Sequence, residues 1–434
     1  MGTAAFYTLG CKVNQTETAA LQGLFEQAGF NSVPFDGLAD VYVINSCTVT
    51  HLGDRKSRQM IRRARRANPE AVIVVTGCYA QVSPDDVMNI PEVDLVIGTH
   101  SRERLPELVI EAKSKRLNCV APLEEKQVFE QFPAMQSGER TRAFIKVQEG
   151  CRQFCSYCIV PYARGPLYSR PPAAAVSEAA RLAAEGFREL VLTGVHLGSY
   201  GVDLPGDVAL SDLIRHLVPI EGIERIRISS IEPTEITPDL IDVLLEHDKV
   251  CRHLHIPLQS GDDMILHRMN RKYDAGEFLQ MVRWLRAQIP EIALTTDIMV
   301  GFPGETEAQF AHTLAMAEKC GFSRLHVFKY SPREGTLAAK FLDQVPYQVK
   351  EKRSKRLMAL GLHLAASFRR GFIGKSAPVL FEETVSPGRI AGLTEHYVRV
   401  VANGNENILG QIADVNITSE HGKHELHGII MKDA

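Results

Sequence analysis

Strand-length apolar runs alternate with helical patterns through the first 115 residues of the chain. The apolar runs lie at residues 4–10, 41–46, 71–77 and 94–98. In the intervals, apolar positions recur at helical spacing near residues 16–28, 52–67, 79–89 and 101–115. Strands that alternate with helices are typical of right-handed βαβ units and a parallel sheet. The pattern therefore predicts an N-terminal α/β domain over residues 1–115.

A polar, mixed segment interrupts this alternation at residues 116–142 and is predicted to be a linker with at most a short strand. From Phe144 the alternation resumes with the strand candidates FIKVQEG, ELVLTGV, RIRISS, HLHIPL, ALTTDIMVG and RLHVFKY. Helical patterns separate them, near residues 175–186, 210–218, 238–247, 262–288 and 305–320. Six strand–helix units are fewer than the eight that close a full barrel. Residues 143–370 are therefore predicted to form an open, partial (β/α)6 barrel.

The pattern changes in the last part of the chain. A basic helical stretch at about 347–370 leads into short strand patterns, separated by the turns SPGRIAG, ANGNEN and SEHGKH. Short strands with frequent turns are typical of a small barrel of the oligonucleotide-binding (OB) type. Residues 371–434 are predicted to form such an all-β domain.

Composition narrows the class of protein. The chain has 434 residues, 45% of them hydrophobic and 23% charged, as in ordinary soluble globular proteins. No apolar stretch approaches the roughly 20 residues that span a bilayer, and the N-terminus lacks the layout of a secretory signal. We therefore expect a cytoplasmic protein with no membrane partner. The net charge of −3 gives no global sign of nucleic-acid binding, so any basic contact surface must be local.

Three cysteines form a tight C-x3-C-x2-C run. Cys151, Cys155 and Cys158 lie in EGCRQFCSYCIVPYARG, directly after the first predicted barrel strand. Three thiolates can hold a cubane iron–sulfur cluster and leave one iron without a protein ligand. A zinc knuckle is the alternative, but zinc normally takes four ligands and no fourth Cys or His is close in the sequence. The run therefore predicts a cluster with an open iron.

Three more cysteines are far apart in sequence, but each follows a predicted strand of the N-terminal domain. Cys11, Cys47 and Cys78 end the segments AAFYTLGC, DVYVINSC and AVIVVTGC. Because parallel strands end at the same sheet edge, where ligands gather, these thiols are expected to converge on a second cluster. Buried structural cysteines are the alternative. The remaining cysteines are predicted to be structural: Cys119, Cys251 and Cys320.

The C-x3-C-x2-C run, with Tyr157 before its last cysteine, resembles the signature of radical S-adenosylmethionine (SAM) enzymes. A three-cysteine N-terminal domain, a radical-SAM barrel and a C-terminal β domain together resemble the methylthiotransferases, over nearly the whole chain. The closer resemblance is to the branch that acts on threonylcarbamoyladenosine in tRNA. It is carried by LGCKVNQTET, CTVTHLGDRKSRQMIRRA, TGCYAQ and GCRQFCSYCIVPYARG. The C-terminal domain resembles the TRAM type of RNA-binding barrel.

The resemblance implies a transferase that converts N6-threonylcarbamoyladenosine beside the anticodon (position 37) to its 2-methylthio derivative. It implies two [4Fe-4S] clusters and SAM. Cleavage of SAM at the Cys151/Cys155/Cys158 cluster yields a radical that abstracts hydrogen from the adenine, and sulfur held at the other cluster is methylated and delivered. The implied partners are a tRNA anticodon loop, an external electron donor and a sulfur source, with no DNA.

Other functions stay open at this point. Within the family, the substrate could be isopentenyladenosine in tRNA or a ribosomal-protein aspartate. Outside it, the chain could be an iron–sulfur electron carrier or an RNA-binding module whose cysteines hold zinc.

Further SAM contacts are expected where later barrel strands end, because ligands bind at the carboxyl ends of parallel strands. The candidates are Tyr157, Thr193, Gly194, Ser230, Glu232, Gln259, Asp297 and Gly301. For Tyr157, which could shield the cluster or contact a purine, plain packing is the alternative. For the other candidates the alternative is turn formation or capping. His196 and His255 are candidates for proton transfer.

Two basic helices are candidate RNA contacts, with an ordinary solvated face as the alternative for each. The first carries Arg55, Lys56, Arg58, Arg62, Arg63, Arg65 and Arg66. The second carries Lys350, Lys352, Arg353, Lys355 and Arg356. In the β domain, Phe381 and Tyr397 are the candidates for stacking on bases.

Overall fold

The computed structural model describes residues 2–49, 51–124, 129–130 and 141–431. The predicted linker at 116–142 lies in part outside the described residues. The described chain forms two compact units. The first holds the N-terminal domain together with Gln148–Arg170 and Ser331–Lys340, and the second holds the barrel strands and the C-terminal domain. Among the described residues, no helix is both long enough and apolar enough to cross a bilayer.

The N-terminal domain is built on a six-stranded parallel sheet with the order β2-β1-β3-β4-β5-β6. Its strands are β1 (Thr3–Thr8), β2 (Asn31–Val33), β3 (Val41–Ser46), β4 (Val72–Gly77), β5 (Leu95–Val96) and β6 (Leu117–Asn118). Its helices are α1 (Lys12–Gln27), α2 (His51–Ala67), α3 (Cys78–Val82), α4 (Pro84–Met88) and α5 (Leu105–Ala112). The α/β class predicted from the sequence is confirmed.

Helices cover both faces of this sheet, because alternate residues of each buried strand point to opposite sides. Val41 and Val43 of β3 pack in the hydrophobic cluster that contains α1 and α5. Tyr42 and Ile44 of the same strand pack in the cluster that contains α2 and α4. The uninterrupted apolar strands of the sequence are explained by this burial on two sides.

The second unit contains six parallel barrel strands in chain order. They are β7 (Arg142–Lys146), β10 (Glu189–Thr193), β11 (Arg225–Ile228), β12 (His253–His255), β13 (Ala293–Val300) and β14 (Arg324–Lys329). They form two three-stranded sheets, linked by single bridges such as Ser230 to His255. The helices are α7 (Pro172–Ala184), α8 (Leu210–Leu217), α9 (Pro238–Glu246), α10 (Asp263–Arg268), α11 (Ala275–Gln288), α12 (Glu307–Cys320) and α13 (Tyr347–Arg370). The predicted partial barrel is thus confirmed.

The C-terminal domain is a closed five-stranded barrel with the order β15-β16-β17-β19-β18. Its strands are β15 (Ser376–Ser386), β16 (Arg389–Thr394), β17 (Arg399–Asn403), β18 (Ile412–His421) and β19 (Glu425–Ile430). All neighbours are antiparallel except β17 and β19, which are parallel. The strand number and closure agree with the OB-type barrel predicted from the turn-rich sequence.

Two helix predictions were wrong in detail. The stretch 262–288 is two helices rather than one, because Asn270 has a left-handed backbone (φ +59°) and Asp274 starts α11 with a capping box to Glu277. The stretch 79–89 is divided into α3 and α4, with Pro84 at the first position of α4. The short edge strand β2 was not predicted, whereas β6 lies in the segment 116–142, where at most a short strand was expected.

A buried ion cluster joins β10 and β11 of the barrel to the C-terminal domain. Glu189 accepts hydrogen bonds from Arg227 (2.7 Å) and Arg225 (3.2 Å), and all three are buried. The same guanidinium groups donate to backbone carbonyls of the C-terminal domain, at Leu393 and Glu395. Burial tends to raise the pKa of Glu189, but the two arginines outweigh it and hold the pKa below its usual value.

We predict that Glu189→Gln destabilises the protein by about 3–5 kcal/mol, because it leaves two buried guanidinium groups without their carboxylate. Urea unfolding at neutral pH measures the change. The matched control is Glu224→Gln, which removes an exposed partner of Arg188 and should cost less than about 1 kcal/mol. Equal losses in the two variants would contradict the assignment.

The lowered pKa of Glu189 also predicts how the stability of the protein depends on pH. A carboxylate whose pKa is lowered on folding stabilises the protein above its unfolded pKa, about 4.3, and that stabilisation is lost as pH falls through the folded pKa. The difference in unfolding free energy between wild type and Glu189→Gln should therefore shrink as the pH falls below about 4. A constant difference down to pH 3 would contradict the lowered pKa.

Candidate functional site

Cys11, Cys47 and Cys78 lie directly beyond the carboxyl ends of β1, β3 and β4, which are neighbours in the sheet. Cys11 precedes α1, and Cys78 is the first residue of α3. The strand order runs in opposite directions on either side of the β1–β3 pair. Such a reversal leaves a crevice at the carboxyl edge, where ligands bind in open α/β sheets. The N-terminal triad therefore occupies the site that the topology favours for a ligand.

Gly10 permits the close approach of the first two segments of this triad. Its backbone is left-handed (φ +104°), and a Cβ placed on it would lie 2.9 Å from the Cβ of Cys47 and 3.1 Å from its Sγ. Any larger residue would be strained there and would collide with the thiol. The glycine in the segment LGC is thus required by the site.

The three thiols of the N-terminal triad differ in exposure, from exposed Cys11 to fully buried Cys78. Burial raises the pKa of the Cys47 thiol, and it raises that of Cys78 to about 12. The neighbouring thiols add to both shifts. Without metal, Cys47 and Cys78 are protonated at neutral pH, so a metal must displace their protons when it binds.

Arg164 places a buried positive charge against Cys78. Its Nε lies 3.3 Å from the Cys78 Sγ, and its other nitrogens donate to Asn14 Oδ1 (2.6 Å), Glu17 Oε1 (2.5 Å) and Glu149 Oε2 (3.3 Å). Burial tends to lower the pKa of Arg164, but the groups around it hold that pKa well above its usual value. The side chain is a permanent cation that favours the thiolate form of Cys78.

Arg164 was not among the residues that the sequence patterns indicated. The residue belongs to the segment IVPYARG, immediately after the C-x3-C-x2-C run, where α6 (Val160–Arg164) ends. A single arginine in an otherwise apolar stretch was the available signal, but its partners Asn14, Glu17 and Cys78 are remote in sequence. Only the fold brings them together.

The C-x3-C-x2-C loop lies between the paired strands β8 (Gln148–Glu149) and β9 (Tyr168–Ser169). Cys151 N–H donates to Gly165 O (3.1 Å), and Cys158 N–H donates to Cys155 O (2.9 Å). A Cβ on Gly150 would lie 1.7 Å from Pro166 O, so the loop entry requires glycine. All three cysteines are partly exposed. The loop therefore presents three thiols from a tightly closed backbone.

The positions of possible ligand atoms identify one compact group outside the two triads. Among the described residues, which include all nine cysteines, the one group with three ligand atoms within 4.8 Å of each other is His255, Asp297 and His326. Each triad offers three thiols, a donor set that fits a cubane iron–sulfur cluster with one iron left open.

The SAM candidates of the barrel have different surroundings. Thr193 ends β10 with a buried hydroxyl that has no hydrogen-bond partner among the described residues, as expected at a ligand site. Glu232 is already paired with Arg271, and a Cβ on Gly301 would lie 2.3 Å from Lys350 Cγ, so packing alone accounts for that glycine. Gly194, Ser230 and Gln259 lie after the strands β10, β11 and β12, whereas Asp297 lies within β13. Tyr157 is half-buried in the cysteine loop.

Asp297 forms a cluster that the sequence did not reveal. Its Oδ1 lies 3.3 Å from His255 Nε2 and 3.2 Å from His326 Nδ1, and His255 Nδ1 is bonded to Thr295 Oγ1 (2.9 Å). Burial tends to raise the pKa of Asp297, but the two imidazoles outweigh it and hold the pKa below its usual range. Asp297 and His326 are register partners on β13 and β14, so strand pairing brings them together.

Several residues that the sequence suggested as RNA contacts are buried or already paired within the protein. Phe381 is fully buried in the core of the C-terminal barrel. Tyr397 is half-buried, and the Arg227 guanidinium already covers its ring at 3.7 Å from the ring centre. Phe381 therefore cannot stack on a base, and Tyr397 already stacks on an arginine. On α13, Lys350 and Arg353 are buried, and Arg353 is paired with Glu305 (2.7 Å).

Comparisons with known proteins agree on one family. A family model described as "Uncharacterized protein family UPF0004" matches residues 3–98, and one described as "Radical SAM superfamily" matches residues 145–317. Threonylcarbamoyladenosine tRNA methylthiotransferase MtaB of Bacillus subtilis is 45% identical, over 96% of this chain and 94% of that protein. The protein of the same name in Thermotoga maritima is 37% identical, over 96% and 95%. The tRNA-2-methylthio-N(6)-dimethylallyladenosine synthase of Clostridium botulinum is 35% identical, over 94% and 93%.

Solved structures show the same fold at low identity. The radical SAM methyltransferase TsrM of Kitasatospora setae has a TM-score of 0.59 at 15% identity, over 78% of this chain and 74% of that one. The cobalamin-dependent enzyme OxsB has a TM-score of 0.54 at 12% identity, over 85% and 56%. These similarities concern the fold alone.

We predict that Arg164→Gln removes about half of the iron and sulfide bound by the reconstituted protein, because the buried Cys78 thiolate loses its counter-charge. Iron and sulfide analysis of anaerobically reconstituted protein measures this. The matched control is Arg102→Gln. Arg102 is also buried and also bonds Glu17 (3.1 Å), but it pairs with Glu130 rather than a cysteine. Equal iron loss in both variants would mean that the effect passes through Glu17 or folding, not through Cys78.

Proposed function

Because the chain belongs to the tRNA methylthiotransferase family of radical SAM enzymes, we propose that it converts N6-threonylcarbamoyladenosine beside the anticodon of tRNA to its 2-methylthio derivative. The observation that carries the proposal is the presence of two groups of three cysteines in one chain, one at the carboxyl edge of the N-terminal sheet and one in the loop between β8 and β9. The choice of substrate is supported by the relatives named for threonylcarbamoyladenosine, which reach 45% identity, against 34–36% for the dimethylallyladenosine enzymes compared with them.

The two cysteine triads have separate roles in this proposal. Cys151, Cys155 and Cys158 would hold the cluster that binds SAM, and Cys11, Cys47 and Cys78 the second cluster. When bound, these groups supply SAM cleavage and sulfur delivery to an aromatic C–H bond, chemistry that amino-acid side chains do not provide.

The chain's own part is to bind, orient and compensate charge. Arg164 keeps a fixed positive charge at Cys78, and Gly10 keeps the space beside Cys47 clear. The buried Thr193 hydroxyl offers a hydrogen bond to a ligand in the barrel. Asp297, held by His255 and His326, offers a fixed negative charge that attracts donor groups of SAM or of the nucleoside.

Partners and organisation follow from the same proposal. The enzyme needs an external electron donor and a sulfur source, and its tRNA substrate sets its place in the cytoplasm. We also propose the division into an N-terminal domain (1–115), a linker (116–142), a radical SAM domain (143–370) and an RNA-binding β domain (371–434).

Deleting the β domain is not a clean test of RNA binding. Arg225 and Arg227 would lose the backbone carbonyls of that domain, and the buried charges of the barrel would be exposed. Point substitutions on an exposed surface separate binding from folding, whereas truncation mixes them.

The decisive experiment is nucleoside mass spectrometry of tRNA from cells with and without the protein. We expect 2-methylthio-N6-threonylcarbamoyladenosine to disappear in the deletion strain and to return on complementation. Loss of the 2-methylthio-isopentenyl nucleoside instead would favour the second candidate substrate. A change confined to a ribosomal protein would contradict a tRNA substrate altogether.

We predict that substitutions in the two triads remove different reaction products. Cys155→Ala should abolish 5′-deoxyadenosine formation from SAM, whereas Cys47→Ala should keep it and lose methylthiolated tRNA. The control is Cys119→Ser, a half-buried cysteine outside both triads, which should keep both products. Chromatography of the SAM products and mass spectrometry of the tRNA measure the two outcomes. Methylthiolated product from Cys47→Ala would remove the N-terminal triad from the mechanism.

A further inference from the structure

Helix α2 has a row of arginines on the side opposite its buried face. The buried face packs on the sheet through Met60, Ile61 and Ala64. The exposed row, which we name the arginine stripe, consists of Arg55, Arg58, Arg62 and Arg66. These positions are three or four residues apart, so the side chains are neighbours on the helix surface and extend over about 16 Å. With other residues they line an open groove of about 800 Å³.

The charge of the stripe is not neutralised within the described part of the chain. There, no carboxylate lies within 4.0 Å of a stripe guanidinium, although other pairs on and around this helix do form. Asp54, the acid at the start of α2, is held by Arg333 (2.7 Å) and Thr48 (2.9 Å). Beyond Asp54 the helix contains no acidic residue.

The flanking arginines of the same helix behave differently. Arg63 is paired with Asp36 (2.5 Å), and Arg65 with Asp94 (2.6 Å). The other basic helix, α13, also uses its charges internally, since Arg353 and Arg356 pair with Glu305 and Glu307. Among the described residues, a row of arginines without an ion pair therefore distinguishes this face of α2 from its flanking arginines and from the two arginines of α13.

The stripe is unfavourable for the protein alone. Like charges at i,i+4 spacing repel each other, as in Arg58–Arg62 and Arg62–Arg66. Arg55 stands near the helix N-terminus, where the helix dipole disfavours positive charge. A row that destabilises its own helix is expected where a polyanion supplies the missing negative charge.

The stripe begins beside the N-terminal triad. Helix α2 starts just after Cys47, and the Arg58 guanidinium donates to the phenol oxygen of Tyr79 (2.7 Å), the residue that follows Cys78. We propose that the arginine stripe binds the phosphate backbone of the tRNA strand that carries the target adenosine. This inference rests on the proposed function. Guanidinium groups form paired hydrogen bonds with phosphate, and a strand held along α2 would bring its base to the cysteines.

The test compares neighbouring arginines that carry the same charge. The affinity of the reconstituted full-length enzyme for unmodified tRNA is measured across a salt series. Each lost phosphate contact should reduce the slope of log Kd against log salt by about 0.7–0.9. Arg62→Gln should show this reduction, and Arg63→Gln, whose charge is already paired with Asp36, should not. The triple variant Arg55→Gln/Arg62→Gln/Arg66→Gln should lower the slope by about 2–3 and raise Kd about tenfold or more at low salt.

Several results would overturn the inference. Equal slopes for Arg62→Gln and Arg63→Gln would overturn it. A second such result is a triple variant that binds tRNA like wild type but whose clusters are reduced more slowly by an acidic electron-transfer protein. Misfolding is excluded by thermal unfolding, where the triple variant should be at least as stable as wild type because repulsion is removed. If the wild-type enzyme methylthiolates tRNA and the slopes do not change, only the stripe assignment fails. If wild type neither binds nor modifies tRNA, the proposed function fails with it.

Discussion

The buried guanidinium of Arg164 is the interaction on which the arrangement of the N-terminal triad depends. It contacts a cysteine of that triad, and it is held by Asn14 and Glu17 from α1 and by Glu149 at the entry to the other cysteine loop. A buried cation is tolerated only when nearby groups replace its hydration. Each of these segments must therefore be in place for the others to be stable. The charge network fixes the cysteine edge of the sheet in one arrangement.

A second buried ion cluster has a comparable effect in the other unit. Glu189 holds two arginines whose remaining hydrogen bonds go to carbonyl groups of the C-terminal domain. The closed barrel is thus bonded to strands β10 and β11, and Tyr397 is committed to the ring–guanidinium contact beneath it. Aromatic residues that sequence alone would assign to RNA have a packing role here. RNA contacts must be sought on exposed basic surfaces, such as α2.

The sequence was a good guide wherever the signal was local or periodic. Strand–helix alternation predicted the parallel sheet and the partial barrel, because strands that are buried on both faces have long apolar sequences. The basic helical stretch predicted helix α13 at its observed place. It also predicted that Cys11, Cys47 and Cys78 follow neighbouring strands. The prediction of helix boundaries was wrong where the backbone conformation of one residue decides the boundary. At Asn270, for example, a left-handed φ ends α10.

What the sequence could not determine is which distant side chains meet. The contacts depend on strand register, on loop closure and on the burial of charge, and none of these can be read from a fixed residue spacing. Examples are Arg164 with Cys78, Asp297 with His326 and Arg227 with Tyr397. The sequence by itself determined the fold class, the two cysteine triads and the family. Only the tertiary structure decided which charges are neutralised and which remain available, because pairing depends on distances in space that residue order does not contain.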